Sequence, residues 1–174
     1  VDDYEVLSEK TIFDGYKVLL KVYRFRTPAG REIEREIVHH AGAAAIAAFL
    51  DRETVLMVRH YRESVREYLW EIPAGTLNPP ESPLECAERE LVEETGYRAG
   101  RMKLVTEYFP SPGVCDEMIR IYRADDLEKV RNSFDETEIQ AVVPMTAREL
   151  QGKFKSGKLP DGKTITALKI LGVI

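Results

Sequence analysis

Residues 75–97 read GTLNPPESPLECAERELVEETGY. Within them Ser82 suits a helix N-cap, Pro83 the first helical position and Gly96 the stop, while Glu85 completes an S-x-x-E capping box, so the spacing predicts a helix over 82–96. At about 100° per residue, Leu84, Ala87, Leu91 and Thr95 fall on one stripe that can face a core. Glu90, Glu93 and Glu94 share a neighbouring arc. Like charges at i and i+4 destabilise a helix by roughly 0.2–0.5 kcal/mol, so something must offset them. Arg89, more distant cations and water form one set of candidates. A divalent cation is the other, because carboxylate oxygens a turn apart suit Mg2+ or Mn2+, which bind through a few carboxylates together with substrate phosphates.

Upstream, GYKVLLKVYRF and REIEREIVHH flank the turn Thr27-Pro28-Ala29-Gly30 and predict an antiparallel β hairpin near the N-terminus. The run AGAAAIAAFL is open to two readings: its alanines favour helix, while its position before VLMVRHYR, across the turn Asp51-Arg52-Glu53, suggests another hairpin and favours a strand. Downstream the expected order is a strand (MKLVTEYF), a loop (PSPGVCDE), a strand (MIRIYRA), an acidic loop (NSFDETE), a strand (IQAVVPM) and one or two helices from Thr146 onward. Strands and helices are interspersed without strict β-α-β alternation, which predicts an α+β class with a mixed sheet flanked by helices.

Composition narrows the function. The chain has 174 residues, 44% of them hydrophobic, enough for one ordinary core. A net charge of −5 argues against a nucleic-acid or membrane-surface binder. It also repels phosphates unless a cation intervenes. No apolar run approaches the roughly 18 residues needed to span a bilayer, and VDDYEVLSEK lacks the regions of a signal peptide, so a soluble cytoplasmic protein is expected. Cys86 and Cys115 show no metal-type spacing and read as free thiols. His39 and His40, with no carboxylate partner evident, read as structural.

Gly75, Glu81, Arg89, Glu90, Leu91, Glu93, Glu94 and Gly96 match the Nudix box, G-x5-E-x7-R-E-U-x-E-E-x-G-U. Each fixed residue would match by chance about one time in fifteen to twenty. Tyr97 departs from the pattern, which prefers a bulky aliphatic residue at that packing position. The chain thus resembles the Nudix hydrolases. The resemblance implies an α/β/α sandwich and metal-dependent attack of water on a nucleoside diphosphate linked to another group. It implies metal ligation by Glu90, Glu94 and the Ala74 carbonyl, with Glu93 ligating a further ion or orienting water. Arg89 would pair with a carboxylate to hold the helix, and Glu81 would anchor the loop. Mg2+ is the implied ion, with Mn2+ as the alternative.

Residues outside the box choose the substrate. Trp70-Glu71-Ile72-Pro73-Ala74-Gly75, Pro112 within Ser111-Pro112-Gly113, and Arg35-Glu36-Ile37-Val38 resemble the ADP-ribose pyrophosphatase branch. That implies a nucleotide-sugar substrate, split to AMP and ribose 5-phosphate and contacted by Arg35, Glu36, Arg62, Ser111, Gly113 and Glu117. Other ADP- or GDP-sugars, NADH or FAD are alternatives, as is a non-catalytic sensor. Arginine forks suit a diphosphate, and Tyr16 is a candidate platform for adenine. The same resemblance implies a general base in the acidic loop before the last strand, at Glu138 with Glu136 as substitute. Residues 1–40 are expected to form a strand region preceding a hydrolase domain over 41–174. That region would pair two protomers into a homodimer in which Arg35 and Glu36 serve the partner's site.

Overall fold

The computed structural model describes residues 3–131 and 139–174. The chain opens with β1 (Glu5–Asp14), β2 (Leu19–Arg26) and β3 (Glu32–His39), an antiparallel sheet in that order. The expected hairpin is β2–β3, and its turn places Gly30 at φ 77°, a conformation glycine adopts without penalty. Strand β1 is an addition that its charged sequence EVLSEKTIFD concealed. Its two glutamates are paired across the sheet rather than buried: Glu9 with Lys21 at 2.9 Å and Glu5 with Arg26 at 2.8 Å.

Residues 1–42 and 109–118 form one compact unit. The later segment joins β3 through Val38 N–H to the Val114 carbonyl and Asp116 N–H to the Val38 carbonyl. His39 Nδ1 lies 2.5 Å from the Asp116 carboxylate and Nε2 lies 2.9 Å from the Tyr23 hydroxyl, while His40 is 3.6 Å from Glu117. Contrary to the sequence reading, both histidines have carboxylate partners, supplied from about 77 residues downstream.

Residues 43–108 and 119–174 form the other unit. It contains β4 (Ala43–Ala48), β5 (Thr54–Arg62), β6 (Glu67–Glu71), β7 (Ala74–Thr76), α1 (Pro83–Thr95), β8 (Tyr97–Tyr108), β9 (Ile119–Lys129), β10 (Ile139–Thr146), α2 (Ala147–Lys155) and α3 (Gly162–Ile170). One sheet runs β7-β4-β9-β8 and is mixed, since β4 is parallel to β9 and antiparallel to β7. The other runs β10-β5-β6 and is antiparallel. The expected β4–β5 hairpin shrinks to a single bridge, Phe49 to Val55, because the chain crosses from one sheet to the other at that turn.

The alanine run of β4 is buried on both faces. Ala43, Ala45 and Ala47 join a core with Leu150 of α2, Leu159, and Ala167 and Leu168 of α3. Ala44, Ile46 and Ala48 join a second core with Cys86, Ala87 and Leu91 of α1. Helices therefore cover both sides of β4, the expected α+β sandwich, and the small alanines let them approach. Tyr97 packs against the second core, so the departure from the box pattern serves packing there. The buried face of α1 is rotated from the predicted one. Leu84 is 42% exposed, whereas Cys86, Ala87, Leu91, Glu94 and Thr95 are buried. Among the described residues no helix is long and apolar enough to cross a membrane.

Candidate active site

Both ends of α1 are fixed locally. Ser82 Oγ accepts the Glu85 N–H at 3.3 Å, and the Glu85 carboxylate accepts the Ser82 N–H at 2.7 Å. Gly96 closes the helix at φ 75°. The register of residues 89–94 is thereby set. Arg89 donates from Nε and Nη2 to Glu81 at 3.1 and 2.7 Å, and from Nη1 to Glu90 at 2.5 Å and Glu93 at 2.9 Å. Its Nη2 also reaches the Thr76 carbonyl at 3.3 Å. One guanidinium thus gathers three carboxylates and the end of β7. The Arg89 bonds hold the Glu81 carboxyl down at about 2. Glu81 also accepts the Asn78 N–H at 2.6 Å, which anchors the loop before the helix.

On the side facing β7, the Glu90 carboxylate lies so close to Gly75 that a Cβ there would overlap it. Glu94 is 5% exposed, and its carboxylate accepts the Ala74 N–H at 3.0 Å. Burial pushes its carboxyl up to about 8; the Ala74 bond opposes that, and the charge of Glu90 adds to it.

The segment leading to Ala74 carries a second charged cluster. Glu71, at the end of β6, is 1% exposed. Both its oxygens accept from Arg62, Nε at 2.7 Å and Nη2 at 2.6 Å, and Lys163 of α3 contacts it as well. Burial alone would raise this carboxyl; Arg62 and Lys163 reverse that and hold it at about 2. Arg62, expected at the substrate, commits those two donors to Glu71.

Residues 38–168 match the NUDIX domain family. The chain belongs to the Nudix family. Among similar proteins, a methanol dehydrogenase activator of Bacillus methanolicus is 36% identical over 169 residues, 96% of this chain and 91% of that protein. An ADP-ribose pyrophosphatase of Bacillus subtilis (strain 168) is 34% identical over 169 residues, with the same two coverages of 96% and 91%. An ADP-ribose pyrophosphatase of Mycobacterium tuberculosis is 38% identical over 129 residues, 74% of this chain and 62% of that protein. A solved structure of an ADP compounds hydrolase superposes with TM-score 0.85 over 98% of this chain and 93% of that one, and at 19% identity it speaks for the fold alone.

Nudix proteins imply a divalent ion, and the donors present fit one. Glu90, Glu93, Glu94 and the Ala74 carbonyl are all hard oxygen ligands of the kind Mg2+ and Mn2+ take. The missing side chain at Gly75 leaves Glu90 a cradle beside β7. Among the described residues no three Asp, Glu, His or Cys side chains converge as a finished cage, and Glu90 and Glu93 both pair with Arg89.

The other expected site residues divide. Arg35, Glu36 and Gly113 line one pocket of about 410 Å3 with Val22, Glu34 and Val114. The Ser111 carbonyl accepts the N–H groups of Val114 and Cys115, which shapes the turn carrying Gly113. Glu117 faces His40. Tyr16, expected in a strand, sits in the turn between β1 and β2 and is 97% exposed. Glu136 and Glu138 lie outside the described residues. Sequence reasoning quoted Glu71 within the stretch entering the box but not its pairing with Arg62 and Lys163, and it missed Lys163 and Thr164, for which Asp161, whose side chain caps α3, was a local signal.

The raised Glu94 carboxyl has a signed consequence. Between about pH 4.5 and 8 the folded protein keeps a proton that the unfolded chain has released, so Glu94 costs stability progressively as pH rises through that window. In EDTA, Glu94→Gln is expected to raise the urea-unfolding free energy at pH 8 by roughly 1 kcal/mol or more, with the gain shrinking toward pH 5. A variant less stable than wild type at pH 8 would refute the raised carboxyl.

Proposed function

We propose that this chain hydrolyses the pyrophosphate bond of ADP-ribose, giving AMP and ribose 5-phosphate, with Mg2+ or Mn2+ held by Glu90, Glu94, Glu93 and the Ala74 carbonyl. The observation that carries the reading is the buried Glu94 bonded to the Ala74 N–H beside Glu90 in its Gly75 cradle. Two relatives named ADP-ribose pyrophosphatase, similar over most of this chain, support the choice of substrate.

The bound ion would supply neutralisation of the diphosphate and activation of water. The chain's own residues do the rest. Arg89 fixes Glu90 and Glu93 on the helix face, and the Ala74 N–H orients Glu94. Arg35, with Glu36 and Gly113 around the same pocket, offers a guanidinium fork to the diphosphate. Glu117 and the Ser111 turn support that pocket, Arg62 acts through its charge, and Tyr16 offers its exposed ring to adenine. Glu138 takes the proton of the attacking water, an assignment that rests on its place in the sequence. Water adds to one phosphorus, the bridging oxygen leaves on the other, and the two products carry the two phosphates. The free thiols of Cys86 and Cys115 suit a reducing, cytoplasmic setting.

A strand region over 1–40 and a hydrolase domain over 41–174 complete the reading, with a homodimer formed through the N-terminal strands. Tyr4, Val6, Ile12, Phe13 and Val18 expose apolar surface on or beside β1 and β2, more than a free sheet face needs. Arg35 and Glu36 would then serve the partner's site. Sedimentation velocity at micromolar concentration is expected to give a dimer; a fully active monomer contradicts it.

The reading is tested by product analysis with ADP-ribose, GDP-mannose, NADH and FAD, each with Mg2+ and with EDTA. ADP-ribose is expected to turn over fastest, yielding AMP, and EDTA to abolish the reaction. Preference for another nucleotide would move the substrate, and metal-independent turnover would defeat the mechanism. In the same assay Glu138→Gln should cut kcat by about 10²-fold or more with KM little changed; unchanged kcat rejects Glu138 as the base.

A further inference from the structure

Helix α3 is the last element of the chain, yet its first turn reaches the segment that leads into the box. Asp161 caps it: Oδ2 accepts the Thr164 N–H at 3.0 Å and the Thr164 hydroxyl at 2.6 Å. With its proton committed to Asp161, the Thr164 oxygen, 0% exposed, accepts the Ile72 N–H at 2.9 Å. The adjacent Lys163 contacts the Glu71 carboxylate and lies 3.0 Å from Asp161.

Ile72 and Pro73 belong to no strand; they bridge β6 and β7. Their backbone is therefore held bond by bond rather than by a ladder. Thr164 holds the Ile72 N–H, the Ile46 N–H donates to the Pro73 carbonyl at 2.8 Å, and Glu94 holds the Ala74 N–H at 3.0 Å. The β4 bond comes from the neighbouring strand and the Glu94 bond from α1, so the first of the three is the one made by the C-terminal helix.

We propose that the first turn of α3, through Thr164 and Lys163, is a positioning clamp for the catalytic centre, setting where the backbone of Ala74 and Gly75 lies against Glu90 and Glu94. It rests on the reading of the box as a metal-dependent hydrolytic centre. The chemistry of Thr164 is specific. Its hydroxyl donates to Asp161 and accepts from Ile72 in the same geometry, which serine reproduces and valine of equal shape does not. A shift of the peptide chain between residues 72 and 74 would carry Ala74 with it, and misplacement by about 1 Å at a reacting centre costs about 10²-fold in rate. Thr164 and Lys163 touch no reacting group, so their effect should fall on kcat and on ion affinity rather than on KM.

The test compares wild type, Thr164→Val and Thr164→Ser by Mn2+ binding, followed by electron paramagnetic resonance, and by kcat and KM for ADP-ribose, at a temperature where circular dichroism shows all three folded. Thr164→Val is expected to lower kcat about tenfold or more and to weaken Mn2+ binding severalfold, with KM within about threefold. Thr164→Ser is expected to restore both. A Thr164→Val protein with a lowered melting temperature but wild-type kcat and Mn2+ affinity would reduce the contact to ordinary stability and overturn the clamp, as would a serine variant as impaired as the valine one. Should Thr164→Val fail to fold, Lys163→Gln is read in the same way: lowered kcat and weaker Mn2+ binding support the clamp, and unchanged values overturn it. Mn2+ binding requires no turnover. A wild type that binds the ion and hydrolyses nothing therefore defeats the hydrolase reading, while the Mn2+ comparison still decides the clamp.

Discussion

Helix α1 lies so near strand β7 that its carboxylates meet backbone, and the candidate site depends on that approach. Glu94 accepts the Ala74 N–H, and the Glu90 carboxylate occupies the space where residue 75 would carry a side chain. The negative charge this brings together is managed in two ways. Arg89 spans Glu81, Glu90 and Glu93. Burial lifts the Glu94 carboxyl to about 8, so this group is largely neutral in mildly acidic, metal-free protein. Both devices lessen the repulsion in the metal-free protein while keeping hard oxygen donors in place for an ion.

The approach is made possible by the sheet underneath. Strand β4 alternates Ala43, Ala45 and Ala47 toward one core with Ala44, Ile46 and Ala48 toward the other, so α1 packs on one side and α2 and α3 on the other. Larger side chains along β4 would push both layers outward and separate the carboxylates from β7. The same strand supplies the Ile46 N–H that holds Pro73. Packing and chemistry therefore share one central element, and the segment over 72–75 takes its position from β4, from α1 and from the C-terminal helix together.

What was legible in the sequence was whatever is decided by neighbours along the chain. Ser82, Pro83, Glu85 and Gly96 mark the ends of α1 to within a residue, and the box residues between them follow in register. The run AGAAAIAAFL was readable as a strand, but not its partners, because β4 lies parallel to β9, dozens of residues away, while its sequence neighbour β5 joins another sheet. Periodicity put Leu84 on the core stripe and Glu94 on the neighbouring arc with Glu90 and Glu93. The structure reverses the two, since the bond that makes Glu94 tolerable inside comes from Ala74, 20 residues upstream. That Lys163 and Thr164 meet Glu71 and Ile72 was invisible for the same reason: those bonds join residues 92 apart. Arg35, Glu36 and Gly113, chosen by resemblance, do share a pocket, whereas Tyr16 stands in solvent.

The most direct test of the account is a crystal structure of the protein with Mn2+ and a non-hydrolysable ADP-ribose analogue, read by anomalous scattering at the manganese edge. The account predicts manganese bonded to the carboxylates of Glu90 and Glu94, with the diphosphate beside it. Manganese bound elsewhere, with Glu90 still paired to Arg89 and Glu94 still bonded to the Ala74 N–H, would contradict it.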